Sequence, residues 1–459
     1  MTKQALFSSI LVLAWWVLIA AQSIVDLGAI ATVAYLLLPA IAVWLYPRNA
    51  LAFLVAVFFL PIGSVQIPRA FVFLFLTIFF VRISRIPPKI KNIHNSFSGL
   101  LFGWLIICLV MVFIANDQDL AINLFLIQLQ TVFFCLVMLM FLESLDDIIF
   151  SIKWNCFFAG IAFFICFYHW GWFESTWMTQ KFISSSSAWS TVGKNTLSSI
   201  DDTQRFLWAG LDPNFFASML IFPFFSAFGL ALSTRSKLKF AWWAIVILCA
   251  FGILGTYSRS ALLVTVICMV PLIFKFTKQA FIGVILLFFV FISMVTLVPA
   301  IQDRVLSIEV NLRESGGSFR AERALAGLDL YLQSPLGVGL GSAEDIFRKY
   351  NTSGFENSHN TYIQVLLETG PLGLFFLIAI LWLGLKRLNS FCNLHHCSND
   401  MNMVFIYRSI YFGMIGCIVF YATIPANDFK PLFIPSVLGF SLFRNYLKIK
   451  PQFSQLKII

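Results

Sequence analysis

Apolar runs of membrane-crossing length dominate the chain. They lie near residues 5–22, 24–46, 49–63, 70–83, 98–115, 120–142, 150–170, 213–232, 240–256, 260–274, 280–299, 361–385, 404–424 and 430–446. A spanning helix needs about 20 mainly apolar residues, and the third, fourth and tenth runs are short, so the pattern predicts about 12–14 transmembrane helices. Two polar stretches interrupt the series, roughly 171–212 and 300–360. The first, with its Ser184–Ser187 run, reads as a loop. The second has a period of its own. Apolar Ala324, Leu325, Leu328, Leu330 and Leu332 predict an amphipathic helix that Pro335 ends, followed by a tight turn at Gly337, Gly339 and Gly341. The glycine spacing is not that of a nucleotide-binding loop, and no strand precedes it. The chain therefore divides into N-terminal helices (1–170), an external loop (171–212), further helices (213–299), a large loop (300–360) and C-terminal helices (361–459).

Composition excludes a soluble domain. The 459 residues are 60% hydrophobic and 11% charged, with mean hydropathy +0.88, whereas soluble domains carry about 25% charged residues. Lys and Arg also orient the chain, because cationic loops stay in the cytoplasm. Arg82, Arg85, Lys89 and Lys91 form one such loop, and Arg235, Lys237 and Lys239 form another. Lys275 with Lys278, Lys386 with Arg387, and Lys448 with Lys450 complete the set. With all of these inside, the helices alternate without conflict, both termini are cytoplasmic, and both long polar loops face outward. The net charge of +10 is largely this pattern, so no nucleic-acid partner is called for. The first apolar run is expected to be a retained helix rather than a removable signal. Most of the nine cysteines fall in apolar runs, as small core residues do. Cys392-Asn393-Leu394-His395-His396-Cys397 has metal-ligand residue types without a second ligand pair; neither a metal nor a cofactor is expected.

Against the positive-inside pattern, the outward side is rich in arginine: Arg205, Arg259, Arg304, Arg313, Arg320, Arg323 and Arg348. Guanidinium groups stay charged and can fork onto two oxygens, which suits a phosphate or diphosphate at the membrane surface. A snorkelling arginine at a helix end is the plainer reading of Arg259. His359 is near neutral at physiological pH and can accept a proton where arginine cannot. Asn360 and Glu356 are the candidates to orient it, and a helix-start hydrogen bond is the alternative role for His359 itself. Asp428, in a short external turn, could orient or balance the site.

Arg259 with Leu263, the block from Arg320 to Pro335-Leu336-Gly337-Val338-Gly339, and His359-Asn360 followed by Gly370-Pro371-Leu372-Gly373 resemble the O-antigen ligase and polymerase superfamily of bacterial envelope enzymes. The resemblance spans roughly residues 205–385. In the ligases an Arg-x-x-x-Leu and a His-Asn-x9-Gly motif lie on the periplasmic side, and they match Arg259 to Leu263 and His359 to Gly370. The resemblance implies an all-α integral membrane protein of GT-C type with a partly helical periplasmic loop, set in a bacterial inner membrane. It further implies metal-independent transfer of a glycan from undecaprenyl diphosphate to an acceptor hydroxyl. Arg259, Arg320, Arg323 and Arg205 would bind the diphosphate, His359 would act as catalytic base, and Asn360 and Asp428 would support it. The acceptor could be lipid A-core, as in a ligase, a glycan repeat unit, as in a polymerase, or a protein such as pilin. The segment Arg205 to Ala217 is closer to polymerases. A transporter for an anionic lipid or solute would also place cations in a polar cavity, but near the bilayer midplane rather than at one surface.

Overall fold

The computed structural model describes residues 3–24, 28–56, 78–86, 95–172, 213–256, 258–275, 316–350, 357–396, 401–426 and 429–456. These residues are all-helical, without strands. The elements are α1 (Lys3–Ile24), α2 (Gly28–Leu45), α3 (Asn49–Ala56), α4 (78–85), α5 (Ser96–Val112), α6 (Gln118–Phe141), α7 (Leu145–Trp172) and α8 (Pro213–Ser233). There follow α9 (Leu238–Gly255), α10 (Arg259–Lys275), α11 (Gly316–Gln333), α12 (Ala343–Tyr350), α13 (Thr361–His396), α14 (Met401–Tyr421) and α15 (Lys430–Leu456). Among the described residues, six helices are long and apolar enough to cross a membrane, namely α6, α7, α8, α9, α13 and α14; shorter apolar helices include α5 and α10. The chain is a multi-pass membrane protein.

α8 is apolar on every side, and it is buried almost completely, as an all-round apolar helix must be if it is not to face lipid. It lies between α14, α9 and α7. Small residues allow the close approach that helix pairs in lipid depend on. An added Cβ at Gly229 would lie 2.8 Å from the Ser409 side chain of α14, and one at Gly384 of α13 would lie 2.8 Å from Ser436 Cα of α15. The buried cysteines Cys108, Cys135, Cys156, Cys249, Cys268 and Cys417 sit in this core, as expected of small apolar residues.

One end of the bundle carries a polar lock. Arg444 Nη1 and Nη2 donate to the carbonyls of Leu139 (3.1 Å) and Leu142 (2.5 Å), and Asn445 donates to Leu142 at 3.1 Å. These bonds satisfy carbonyls that the end of α6 leaves without helical partners. Arg48 pairs with Asp147 at 2.8 Å, and Arg82 with Glu143 at 3.7 Å. The candidate residues Arg259, Arg323 and His359 gather at the other end.

Candidate functional site

α8 shows how that end is assembled. An added Cβ at Gly252 of α9 would lie 2.5 Å from Leu220, and one at Gly416 of α14 would lie 2.9 Å from Ile221. The last turns of α9 and α14 therefore flank the first half of α8. Past α9, Ser258 Oγ accepts from Ala261 N–H at 3.5 Å, and Arg259 opens α10. Leu263, one turn on, is exposed, so the Arg-x-x-x-Leu spacing puts the cation at the helix start and the leucine on the lipid side.

α13 reaches the same end. Thr361 Oγ1 donates to the Ile424 carbonyl at 2.6 Å, and the Tyr362 hydroxyl to the Ile418 carbonyl at 2.7 Å, which anchors the start of α13 on the last turn of α14. His359 immediately precedes that start. Its φ is +45°, and it is the one non-glycine residue with positive φ among those described, a conformation uncommon outside glycine. Its N–H donates to Asn357 Oδ1 at 3.1 Å, and Ser358 Oγ donates to the Asn360 carbonyl at 3.0 Å. Asn360 has a definite role: its Oδ1 accepts from the N–H groups of Tyr362 (2.9 Å) and Ile363 (3.3 Å), capping α13. That carboxamide oxygen is engaged by the helix, and the peptide at His359 is held by Asn357.

The arginine-bearing helix docks on this segment. At Gly327 of α11 a Cβ would lie 2.7 Å from Ile363 Cγ2 and 3.2 Å from Ser358 Cβ, so only glycine lets α11 approach the residues that bracket His359. Arg323 lies one turn before Gly327 on the same face, half-buried. Arg320 is on the same helix, in its first turns. Its side chain, together with Arg205, Glu356 and Asp428, lies outside the described residues, so the structure places the backbone of Arg320 and none of the other three.

The glycine turn then threads between helices. Val338 N–H donates to the Leu367 carbonyl (2.9 Å), Gly339 N–H to the Glu368 carbonyl (3.1 Å) and Leu340 N–H to the Met111 carbonyl (3.1 Å). Gly339, at φ +99°, runs so close to Ala115 that no Cβ fits. Gly370, the glycine of the His-Asn-x9-Gly spacing, has φ +67° and ψ −171° and breaks α13. A Cβ there would lie 2.6 Å from the Leu336 carbonyl oxygen. The histidine and the glycine of the motif thus fix the two ends of one helical segment, and α11 with its turn is clasped against it.

Inside the clasp is a polar cluster that sequence reasoning missed. Glu368 is buried. Its Oε1 accepts from Gln364 Nε2 at 3.1 Å, and the N–H groups of Gly341 and Ala343 also bond its carboxylate. A small gap is lined here by Glu368, Gln364, Gln128, Trp104, Leu340 and Phe429, and Trp104 Nε1 donates to Gln128 Oε1 at 3.3 Å. The available signal was a lone carboxylate within an apolar run, which usually faces a cavity or partners. No group of three metal-ligating side chains occurs among the described residues.

Residues 244–378 match the family model described as O-antigen ligase. The chain carries an O-antigen ligase domain. The matched stretch runs from α9 through the first half of α13 and contains Arg259, α11, the glycine turn, His359 and Gly370. No curated protein matches the chain. The O-antigen ligase family supplies the coarse activity: the protein is a glycosyltransferase of the ligase or polymerase type, acting on a lipid-linked glycan.

Proposed function

We propose that the protein transfers a glycan from undecaprenyl diphosphate to an acceptor hydroxyl at the periplasmic face of the inner membrane, as an O-antigen ligase acting on lipid A-core. The observation that carries this reading is the docking of α11 through Gly327 onto Ser358 and Ile363, which sets the Arg323 helix beside His359. Arg259 comes to the same end of the bundle from α10.

In this reading the acceptor oxygen attacks the anomeric carbon while His359 takes its proton. The bond from that carbon to the diphosphate breaks, and undecaprenyl diphosphate leaves with the bonding electrons. The anomeric centre inverts in one displacement. Charge develops on the leaving diphosphate, and Arg259, Arg320 and Arg323 are assigned to neutralise it; Arg205 and Asp428 are assigned to the same surface. A positioned base contributes about 10²–10⁴-fold, so His359 needs a fixed backbone, and the Asn357 bond and the cap at Asn360 supply one.

Deleting the gene and comparing lipopolysaccharide banding, capsule and pilin mass tests the acceptor. A ligase predicts loss of all O-antigen bands with intact core. A single-repeat band would indicate a repeat-unit polymerase, and a pilin mass shift would indicate a protein acceptor.

A further inference from the structure

The faces of α11 divide into three sectors. One, with Arg323, Gly327 and Leu330, packs against the protein. A second carries Leu325, Leu328 and Leu332 at spacings of three and four, so they share a face, and all three are exposed, Leu332 to 73%. A third, beside it, carries Glu322, Asp329 and Gln333, also exposed. Leu336 continues the leucine line past the helix end and is 81% exposed. A helix surface in water would not concentrate its leucines on one exposed strip beside its charges.

The strip leads directly into a lipid-facing surface. The Leu336 carbonyl abuts Gly370, and from Leu372 onward α13 exposes Leu372, Phe375, Ile378 and Trp382 along one side of a spanning helix. On the other side of the glycine turn, Phe113 and Ile114 are exposed next to Ala115, which Gly339 touches. The exposed apolar surface is therefore continuous from the lipid side of α13 and the end of α5 onto the leucine strip of α11.

We propose that α11 is an interfacial helix, seated with Leu325, Leu328, Leu332 and Leu336 in the hydrocarbon edge of the adjacent leaflet and with Glu322, Asp329 and Gln333 toward water. An amphipathic helix of this kind lies in the membrane plane with its apolar face at the headgroup–acyl boundary. Seating α11 at that level sets the height of Arg320 and Arg323 at the headgroup layer, where a lipid-linked diphosphate resides. The bilayer thus becomes a third support of the site, beside α13 and the glycine turn. The seat follows from exposure and continuity, and it holds whichever acceptor the enzyme uses.

The test is photo-cross-linking of the full-length protein in lipid nanodiscs. p-Benzoylphenylalanine is placed singly at Leu328, Leu332, Asp329 and Gln333, and adducts are identified by mass spectrometry. Lipid adducts at Leu328 and Leu332, several-fold above those at Asp329 and Gln333, are the expected result. Equal lipid labelling at all four positions, or its absence at the leucines, would overturn the seat. Cross-links from the leucines to protein, whether a second copy or another segment of the chain, would show that the strip is a protein interface instead. Should the Leu332 variant fail to insert, Leu325 against Glu322 gives the same comparison one turn earlier.

Discussion

Gly370→Ala is the sharpest perturbation that the clasp offers. At φ +67° and ψ −171° the backbone lies in a region open essentially to glycine alone, and another residue there costs about 1–3 kcal/mol. The new Cβ would also meet the Leu336 carbonyl oxygen at 2.6 Å and its carbon at 2.9 Å. Carbon contacts are optimal at about 3.5–4.0 Å, and backbone atoms cannot rotate aside as a side chain can. Such overpacking adds about 1–3 kcal/mol, for a total of about 2–6 kcal/mol. The loop can relieve this by letting go of α13. Two backbone bonds hold it there, from Val338 to Leu367 and from Gly339 to Glu368, at a net of about 0.5–1.5 kcal/mol each. The two sums are comparable, so the loop detaches before the spanning helices unfold. Detachment moves α11 and its arginines away from His359. The assay pairs glycan transfer with limited proteolysis of residues 316–350 in reconstituted protein. Gly370→Ala should insert normally, be cleaved in that segment at least about tenfold faster, as an opening eased by about 1.4 kcal/mol or more predicts, and lose most transfer. Gly99→Ala is the control, since nothing lies within 4 Å of its added Cβ, and it should behave as wild type. A Gly370→Ala enzyme with normal transfer and normal cleavage would refute the clasp.

Glu368→Ala removes the acceptor of Gln364 and of the Gly341 and Ala343 N–H groups, each of which then costs about 1–3 kcal/mol if left buried without a partner; the melting temperature should fall and the loop should become protease-sensitive, whereas unchanged values would show that the cluster holds nothing. Arg259→Lys and Arg323→Lys should each lose most activity despite keeping the charge, because a point charge does not reproduce the planar fork on a diphosphate, and near-normal rates for both would move the diphosphate site elsewhere. Transfer by the purified protein should continue in excess EDTA; abolition by chelator with rescue by Mg²⁺ or Mn²⁺ would overturn the arginine mechanism.

The spans were legible in the sequence because apolar length alone defines them, and α5 to α10 fall within a few residues of the predicted runs, α7 starting five residues early. The amphipathic helix before Pro335 was legible for the same reason, as was the close packing of the glycine turn. The reason for Gly370 was not. It depends on Leu336, thirty-four residues earlier, reaching its backbone, and periodicity carries no information about such pairs. Glu368 was likewise hidden, since its partners at Gly341 and Ala343 are set by the path of the turn between α5, α6 and α13. α12 was unforeseen, being a single short helix in a polar stretch. α13 runs on to His396, past the predicted end at 385, because Lys386 and Arg387 end the apolar run without breaking the helix, and neither is a helix breaker. Asn360 was read beside His359 as a partner, while its oxygen serves the cap of α13.

The central claim is that His359 takes the acceptor proton. It is tested most directly by measuring glycan transfer and lipid-diphosphate binding side by side for wild type, His359→Ala and His359→Gln. The account predicts that both variants keep donor binding through the arginines and that both lose about 10²–10⁴-fold in rate, because glutamine retains a polar side chain of similar reach but takes up no proton at neutral pH. A His359→Gln enzyme with near-normal transfer would contradict it and leave His359 as an anchor at the start of α13.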